Sequence, residues 1–227
     1  MRIVIAFAVM ALKFVAWRMT GSVALYSDAL ESIVNVIAAA AAYYAIRLSQ
    51  KPADADHPHG HHKAEYFSAV LEGVLIVLAS FLIISEAWAA LQTPRSLDEP
   101  FAGLAVNALA TVVNVVWATL LLRVGATDRS PALEADGRHL MTDVITSVGV
   151  IGGLLVAMAT GWRALDPLLA LIVAMNILWQ GWKVIGQSVQ GLMDVAADPE
   201  LTMKLRDIIS ANSGGDIHQP LHGLSDH

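Results

Sequence analysis

Six long apolar blocks dominate this chain, running from Ile3 to Met19, Val23 to Leu48, Tyr66 to Leu91, Phe101 to Leu122, Leu133 to Thr160 and Ala164 to Val189. A helix rising about 1.5 Å per residue needs roughly 20 residues to cross a hydrocarbon core of about 30 Å. It also satisfies every backbone hydrogen bond within itself, which a membrane interior demands. Composition agrees: 56% of the 227 residues are apolar and only 15% are charged, an unusual balance for a soluble domain. The expected fold class is an all-α membrane protein with six transmembrane helices spanning 1–189. The first block lacks a small-residue cleavage site and leads straight into another span, so it reads as a true helix rather than a secretory leader. It starts so abruptly that a preceding native tail is expected.

The basic residues orient the bundle. With six spans, the N-terminus, the loops after helices 2 and 4 and the C-terminus share one face. That face carries Arg2, Arg47, Lys51, Lys63, Arg123, Arg129, Lys183, Lys204 and Arg206, against Arg18, Arg95 and Arg163 on the other. Nine against three places both termini in the cytoplasm. Lys13 and Arg138 fall within the spans and are expected near an interface or paired. After Val189 the chain turns polar, with Asp194, Asp198, Glu200, Lys204, Arg206 and Asp207. Residues 190–227 read as the start of a cytoplasmic C-terminal domain, too short for an independent core and so incomplete.

Cysteine is absent, so a metal site here has to use His, Asp, Glu, Asn or backbone groups. No phosphate-binding glycine loop and no basic concentration suggests nucleic acid. The chemistry lies where polarity is expensive. Helix 2 places Glu31 and Asn35 four residues apart on one face, and helix 5 does the same with His139 and Asp143. Facing each other, the two pairs would offer four nitrogen or oxygen ligands, enough for a tetrahedral divalent ion. A charge near mid-bilayer costs at least about 2.5 to 3.5 kcal/mol, so Glu31 and Asp143 need a partner, an aqueous cavity or an ion. Helix-packing contacts, with Glu31 bonded to His139 or Asn35, are the plainer alternative. Asp28 and Asp136 lie one turn earlier, as further groups around the site or as interfacial carboxylates, the latter preferred.

A second cluster occupies the loop 49–65, where Asp54, Asp56, His57, His59, His61 and His62 fall within nine residues. Such enrichment suits Zn²⁺ or a similar ion, with an ordinary solvated loop as the alternative. Asn107 and Asn114 share a face of helix 4 and are candidates for lining a cavity or for interhelical hydrogen bonds. Ala38 to Ala42, Gly149, Gly152 and Gly153 suit close helix contact.

These features together resemble the cation diffusion facilitator family of metal transporters. The resemblance rests on Thr20-Gly21-Ser22 before helix 2, Glu31 with Asn35, the loop residues Asp54, His57, Gly60, His61, Lys63, Ala64 and Glu65, and His139 with Asp143. It implies a homodimer in the lipid bilayer that exchanges a divalent metal ion for protons by alternating access, exporting it across a bacterial inner membrane. It also implies a ferredoxin-like cytoplasmic domain, of which His222 resembles the opening. Glu31, Asn35, His139 and Asp143 match the family's transport-site positions, and Asp54, His57 and His61 match a loop site. Lys63 and Asp194 match a charge contact between helices 3 and 6.

The centre departs from the usual pattern. Zinc-moving relatives carry His or Asp where Glu31 stands and Asp where Asn35 stands, so this chain has a longer carboxylate and one formal charge fewer. Harder oxygen donors tilt the set toward Mn²⁺, Fe²⁺ or Co²⁺, with Cd²⁺ also a candidate, while His139 and the His-rich loop keep Zn²⁺ favoured. Metal loading needs neutral His and ionised carboxylates, so protons and metal compete. Histidine changes charge near neutral pH, which makes His139 the natural exchanging group. Glu31 and Asp143 are further candidate proton carriers; Asn35 cannot be one. An enzyme is not expected, since no His-Glu-x-x-His helix occurs. A membrane sensor or scaffold that binds metal without moving it is the competing reading.

Overall fold

The computed structural model describes residues 2–52, 61, 63–93, 97–128, 131–193, 203 and 208. Among these the chain is a bundle of six long helices without a strand: α1 (Arg2–Thr20), α2 (Val23–Ser49), α3 (Ala64–Gln92), α4 (Pro100–Asp128), α5 (Pro131–Thr160) and α6 (Leu165–Leu192). Each apolar block became one helix. The largest boundary difference is at α4, which runs on to Asp128 past the expected end at Leu122. Arg123, Thr127 and Asp128 end the hydropathy there without ending the helix, since polar residues suit a turn that emerges from the bilayer. Five of the helices, α2 to α6, are long and apolar enough to cross a membrane.

Large apolar side chains cover the outside of the bundle, among them Phe67, Leu78, Leu109, Val116, Ile145, Ile172 and Trp179. In water such a surface would aggregate; in a bilayer it is the lipid contact. Cation–π pairs stand near both ends of that surface, Arg18 over Trp17 and Arg47 over Tyr43, at 5.8 and 5.2 Å from the ring centres. Such pairs suit the membrane–water boundary.

The packing makes α2 the hub. It touches α1, α3, α5 and α6, while α3 lies along α6 and α4 along α1 and α5. The α3–α6 crossing depends on glycine: a Cβ on Gly73 would meet Ile185 Cγ1 at 2.5 Å, and one on Gly181 would meet Ile76 Cγ2 at 2.7 Å. Of the α5 glycines, Gly137 faces Leu122 and Gly153 faces Leu169, whereas Gly149 and Gly152 face open space.

Thr20-Gly21-Ser22 has a local explanation. Gly21 sits at φ +64° and donates its N–H to Trp17 O at 2.8 Å, the left-handed C-terminal cap that glycine tolerates best. Ser22 then caps α2, its Oγ accepting from Leu25 N at 3.1 Å. Two helices are thus reversed within three residues. Asp166, in the first turn of α6, completes the cap. Its carboxylate accepts from Ser22 Oγ at 2.6 Å, Val23 N at 2.9 Å and Ala24 N at 3.0 Å. An anion at a helix N-terminus meets both the free N–H groups and the helix dipole.

The apolar core lies in this half of the bundle. Ala16, Val23, Ala24, Leu25, Ile83, Ala87, Leu104, Val150, Leu154, Ala170, Ala174 and Ile177 form one buried cluster. They come from the late part of α1, α3 and α5 and the early part of α2, α4 and α6, which all lie at the end away from the start of α1.

Candidate metal site

The other half of the bundle opens into a cavity of about 600 Å³. Its walls are Ile5, Ala6 and Val9 of α1, Ser32 to Ile46 along one face of α2, Glu72 of α3, Asn114 and Trp117 of α4, and Asp136, His139, Leu140 and Asp143 of α5. Every contributing stretch lies toward the end where α1, α3 and α5 begin and α2 and α4 finish. The cavity therefore opens on the face that carries the start of α1 and the end of α6. Ala38, Ala39 and Ala42 keep its α2 wall thin. Asn114 lines it as the spacing on α4 suggests, but Asn107 does not reach it. Asn107 is fully buried, and neither amide atom has a hydrogen-bond partner among the described residues.

At the blind end the two four-residue pairs meet. Asn35 donates from Nδ2 to Asp143 Oδ2 at 2.9 Å, joining α2 to α5. Asp143 is 5% exposed. Glu31, one turn deeper on α2, keeps Oε2 buried with no hydrogen-bond partner among the described residues, and it lies within electrostatic range of Asp143 and Asp28. The alternative reading, a packing hydrogen bond from Glu31 to His139 or Asn35, is not seen among the described residues; the Asn35 amide binds Asp143. His139 stands nearer the mouth with its side chain exposed to the cavity. No three His, Asp or Glu side chains among the described residues stand close enough together to hold a metal ion in this arrangement. Asn35 now shows Asp143 a donor; turning the amide by about 180° would show an ion its oxygen.

One turn further from the cavity lies a group of residues that periodicity alone did not assemble. Lys13 of α1, 1% exposed, places Nζ 2.6 Å from Asp28 Oδ1 and 3.1 Å from Ser147 Oγ. Ser147 Oγ is also 2.9 and 3.0 Å from the two Asp28 carboxylate oxygens. This corrects the preference for Asp28 as an interfacial carboxylate: it is fully buried and ion-paired, because α1 brings a lysine to it. Lys13 is paired, as was one of its two expected placements. Arg138 is paired too, giving Nη2 to Glu134 Oε2 at 2.9 Å on an exposed face. Asp136 remains at the cavity wall.

Of the loop residues, Asp54 and His57 lie outside the described residues, and His61 stands just before α3. Lys63 reaches α6, donating from Nζ to Leu192 O at 3.4 Å; its expected partner Asp194 lies outside the described residues. So do nearly all residues of the C-terminal segment 190–227 beyond Met193.

The comparisons with known proteins point one way. The family described as the cation efflux transmembrane domain matches residues 2–193. An uncharacterized transporter of Synechocystis, sll1263, is 47% identical over 86% of this chain and 63% of its own length. The cation-efflux pump FieF of Serratia proteamaculans is 30% identical over 92% of this chain and 70% of its own. The FieF pump of Citrobacter koseri stands at 30% over 93% and 70%. The chain thus spans roughly two thirds of the length of these relatives. Its six-helix bundle, its membrane-length helices and this match together establish that the chain belongs to the cation efflux family.

Proposed function

We propose that this protein exports divalent transition-metal ions in exchange for protons, with Glu31, Asn35, His139 and Asp143 as the transport site. The observation that carries the reading is the Asn35–Asp143 contact at the blind end of the cavity, with His139 on the cavity wall. It brings the polar pairs of two different helices together in the middle of a membrane-length bundle. An ion entering from the open face would pass Asp136 and His139 before reaching Asp143 and Asn35. Its ligands would be the His139 imidazole, the Asp143 and Glu31 carboxylates and the Asn35 amide oxygen. Closing the set requires His139 to turn inward and Glu31 to swing toward Asp143, a rearrangement that an incoming dication would drive. Binding releases protons from the imidazole and the carboxylates, and their protonation releases the ion. Zn²⁺ is the favoured cargo; Fe²⁺, Mn²⁺ and Co²⁺ suit an oxygen-rich set, and Cd²⁺ is a softer further candidate.

In this reading the open face is cytoplasmic, the arrangement is inward-facing, and two copies work as a homodimer. The nine-to-three distribution of basic residues supports that orientation. The loop residues Asp54, His57 and His61 serve as a second metal site. The test is flux into proteoliposomes containing a pH-sensitive dye, for all five metals, with Asp143→Ala as control. Metal entry with opposite proton movement, reduced to background in the variant, is the expected outcome. Binding with no flux for any metal would make the protein a sensor or scaffold instead.

A further inference from the structure

We propose that Lys13, Asp28 and Ser147 form a polar lock that holds shut the end of the bundle away from the cavity. Lys13 is its positioning residue, and its release from Asp28 accompanies the change to the opposite-facing state. The inference rests on the transport reading above and adds the device that closes the far gate.

Four observations carry it. The first is place: Asp28 precedes Glu31 by three residues on α2, and Ser147 follows Asp143 by four on α5. The lock therefore stands one helical turn beyond the candidate site on the sealed side, and an ion leaving that way has to pass it. The second is connectivity. Lys13 bonds Asp28 and Ser147, and Ser147 bonds both oxygens of Asp28, so α1, α2 and α5 are tied at one point. These same helices form most of the cavity wall.

The third is chemistry. A buried ion pair is rarely a better fastener than apolar packing of the same volume, and an ionisable residue inside a membrane bundle reads as functional by default. Ala16, Leu25, Val150 and Leu154 lie just beyond and could seal that end alone, but apolar contact carries no sign. The Lys13 ammonium neutralises Asp28 at 2.6 Å, so no bare anion stands beyond the site to draw a dication through while the gate is closed. The fourth is an alternative partner. Glu31 Oε2 is buried without a hydrogen bond among the described residues, and Glu31 and Asp143 both lie within electrostatic range of Lys13. When α1, α2 and α5 part, the lysine has a second set of carboxylates to meet, vacated by the departing metal.

The chain contains no cysteine, so single cysteines can report on each half. Ala39→Cys lies on the cavity wall and Ala24→Cys lies in the sealed cluster. Each is placed in the otherwise native chain and in the double variant Lys13→Met with Asp28→Asn, which removes both charges and leaves neither buried alone. A membrane-impermeant thiol reagent is applied from each side of the vesicle. With the lock intact, Ala39→Cys reacts from the open face and Ala24→Cys hardly at all. Without it, Ala24→Cys should react at least about tenfold faster from the opposite face and Ala39→Cys more slowly, as a shift between two states requires. Lys13→Arg, which keeps the charge, should restore the native pattern.

Unchanged rates in the double variant would overturn the proposal and leave the group as a packing contact. Faster reaction at both positions would also overturn it, because that marks a loosened bundle. The readout needs no metal, so absence of flux in the native protein would count against the transport reading without deciding the lock.

Discussion

Along α2 the stretch from Ser32 to Ile46 borders a cavity, whereas from Val23 to Asp28 every side chain but Tyr26 is buried. One helix thus meets two environments. The same division runs through α1 and α5, whose halves toward the open face line the cavity and whose far halves join the apolar core. Both halves hold carboxylates, but in different company. In the sealed half Asp28 and Asp166 are fully engaged, by Lys13 and Ser147 and by the start of α2. In the open half Glu31 has an oxygen without a partner, and Asp143 has a single amide from Asn35. Buried polar groups satisfied by the protein hold a shape; those left short of partners are ready for something else.

This contrast can be broken or sharpened in graded steps. The largest effect on stability is expected from Lys13→Met alone, which leaves Asp28 charged and buried without its cation. Breaking a buried pair in this way costs about 3 to 5 kcal/mol, visible as loss of a monodisperse species in detergent chromatography. Survival of that variant with native melting would show the pair to be worth little. Next comes Asp166→Ala, which strips three hydrogen bonds from the start of α2. A cost of about 2 kcal/mol, in the upper range for helix caps and dipole contacts, should appear as a lower melting temperature. Metal preference in flux should stay as in the native protein, since the cap is remote from the cavity.

Asn35→Asp belongs to the open half and should do the reverse. It places a second carboxylate against Asp143, so the empty site becomes more repulsive while the loaded one gains a charge. A change of about tenfold in relative flux between Zn²⁺ and Mn²⁺, roughly 1.4 kcal/mol, is the expected result, measured as competition in proteoliposomes. Unchanged selectivity would remove Asn35 from the ligand set. The last step compares two glycines, and its second member has the smallest effect expected. Gly73→Ala drives a Cβ into Ile185 and should cost about 1 to 3 kcal/mol by overpacking. Gly149→Ala meets nothing within 4 Å and should stay within about 0.5 kcal/mol, both read by thermal melting.

How much of this was legible beforehand follows the range of the interactions. Helix number, order and most ends could be read because hydropathy and backbone satisfaction act along the chain, one span at a time. Glu31 with Asn35, and His139 with Asp143, could be read because a four-residue spacing is a local property of a helix. The cap at Thr20-Gly21-Ser22 belongs to the same class, its signal being glycine followed by a small hydroxyl at the start of an apolar run. Asp166 was not singled out from the sequence: a lone carboxylate in an apolar block signals that a partner is needed, but not which helix end supplies it.

By itself, then, the sequence determined that the chain is a membrane bundle of six long helices and that two of them each carry a pair of polar side chains inside the apolar span. Those conclusions need only length, period and the cost of an unsatisfied polar group in hydrocarbon. Only the tertiary structure decided that Asn35 meets Asp143, that Lys13 of one helix neutralises Asp28 of another, and that one half of the bundle is open while the other is closed. The two contacts join residues 108 and 15 positions apart on different helices, and which helix faces lie together is set by side-chain packing across the whole bundle rather than by any local stretch of chain.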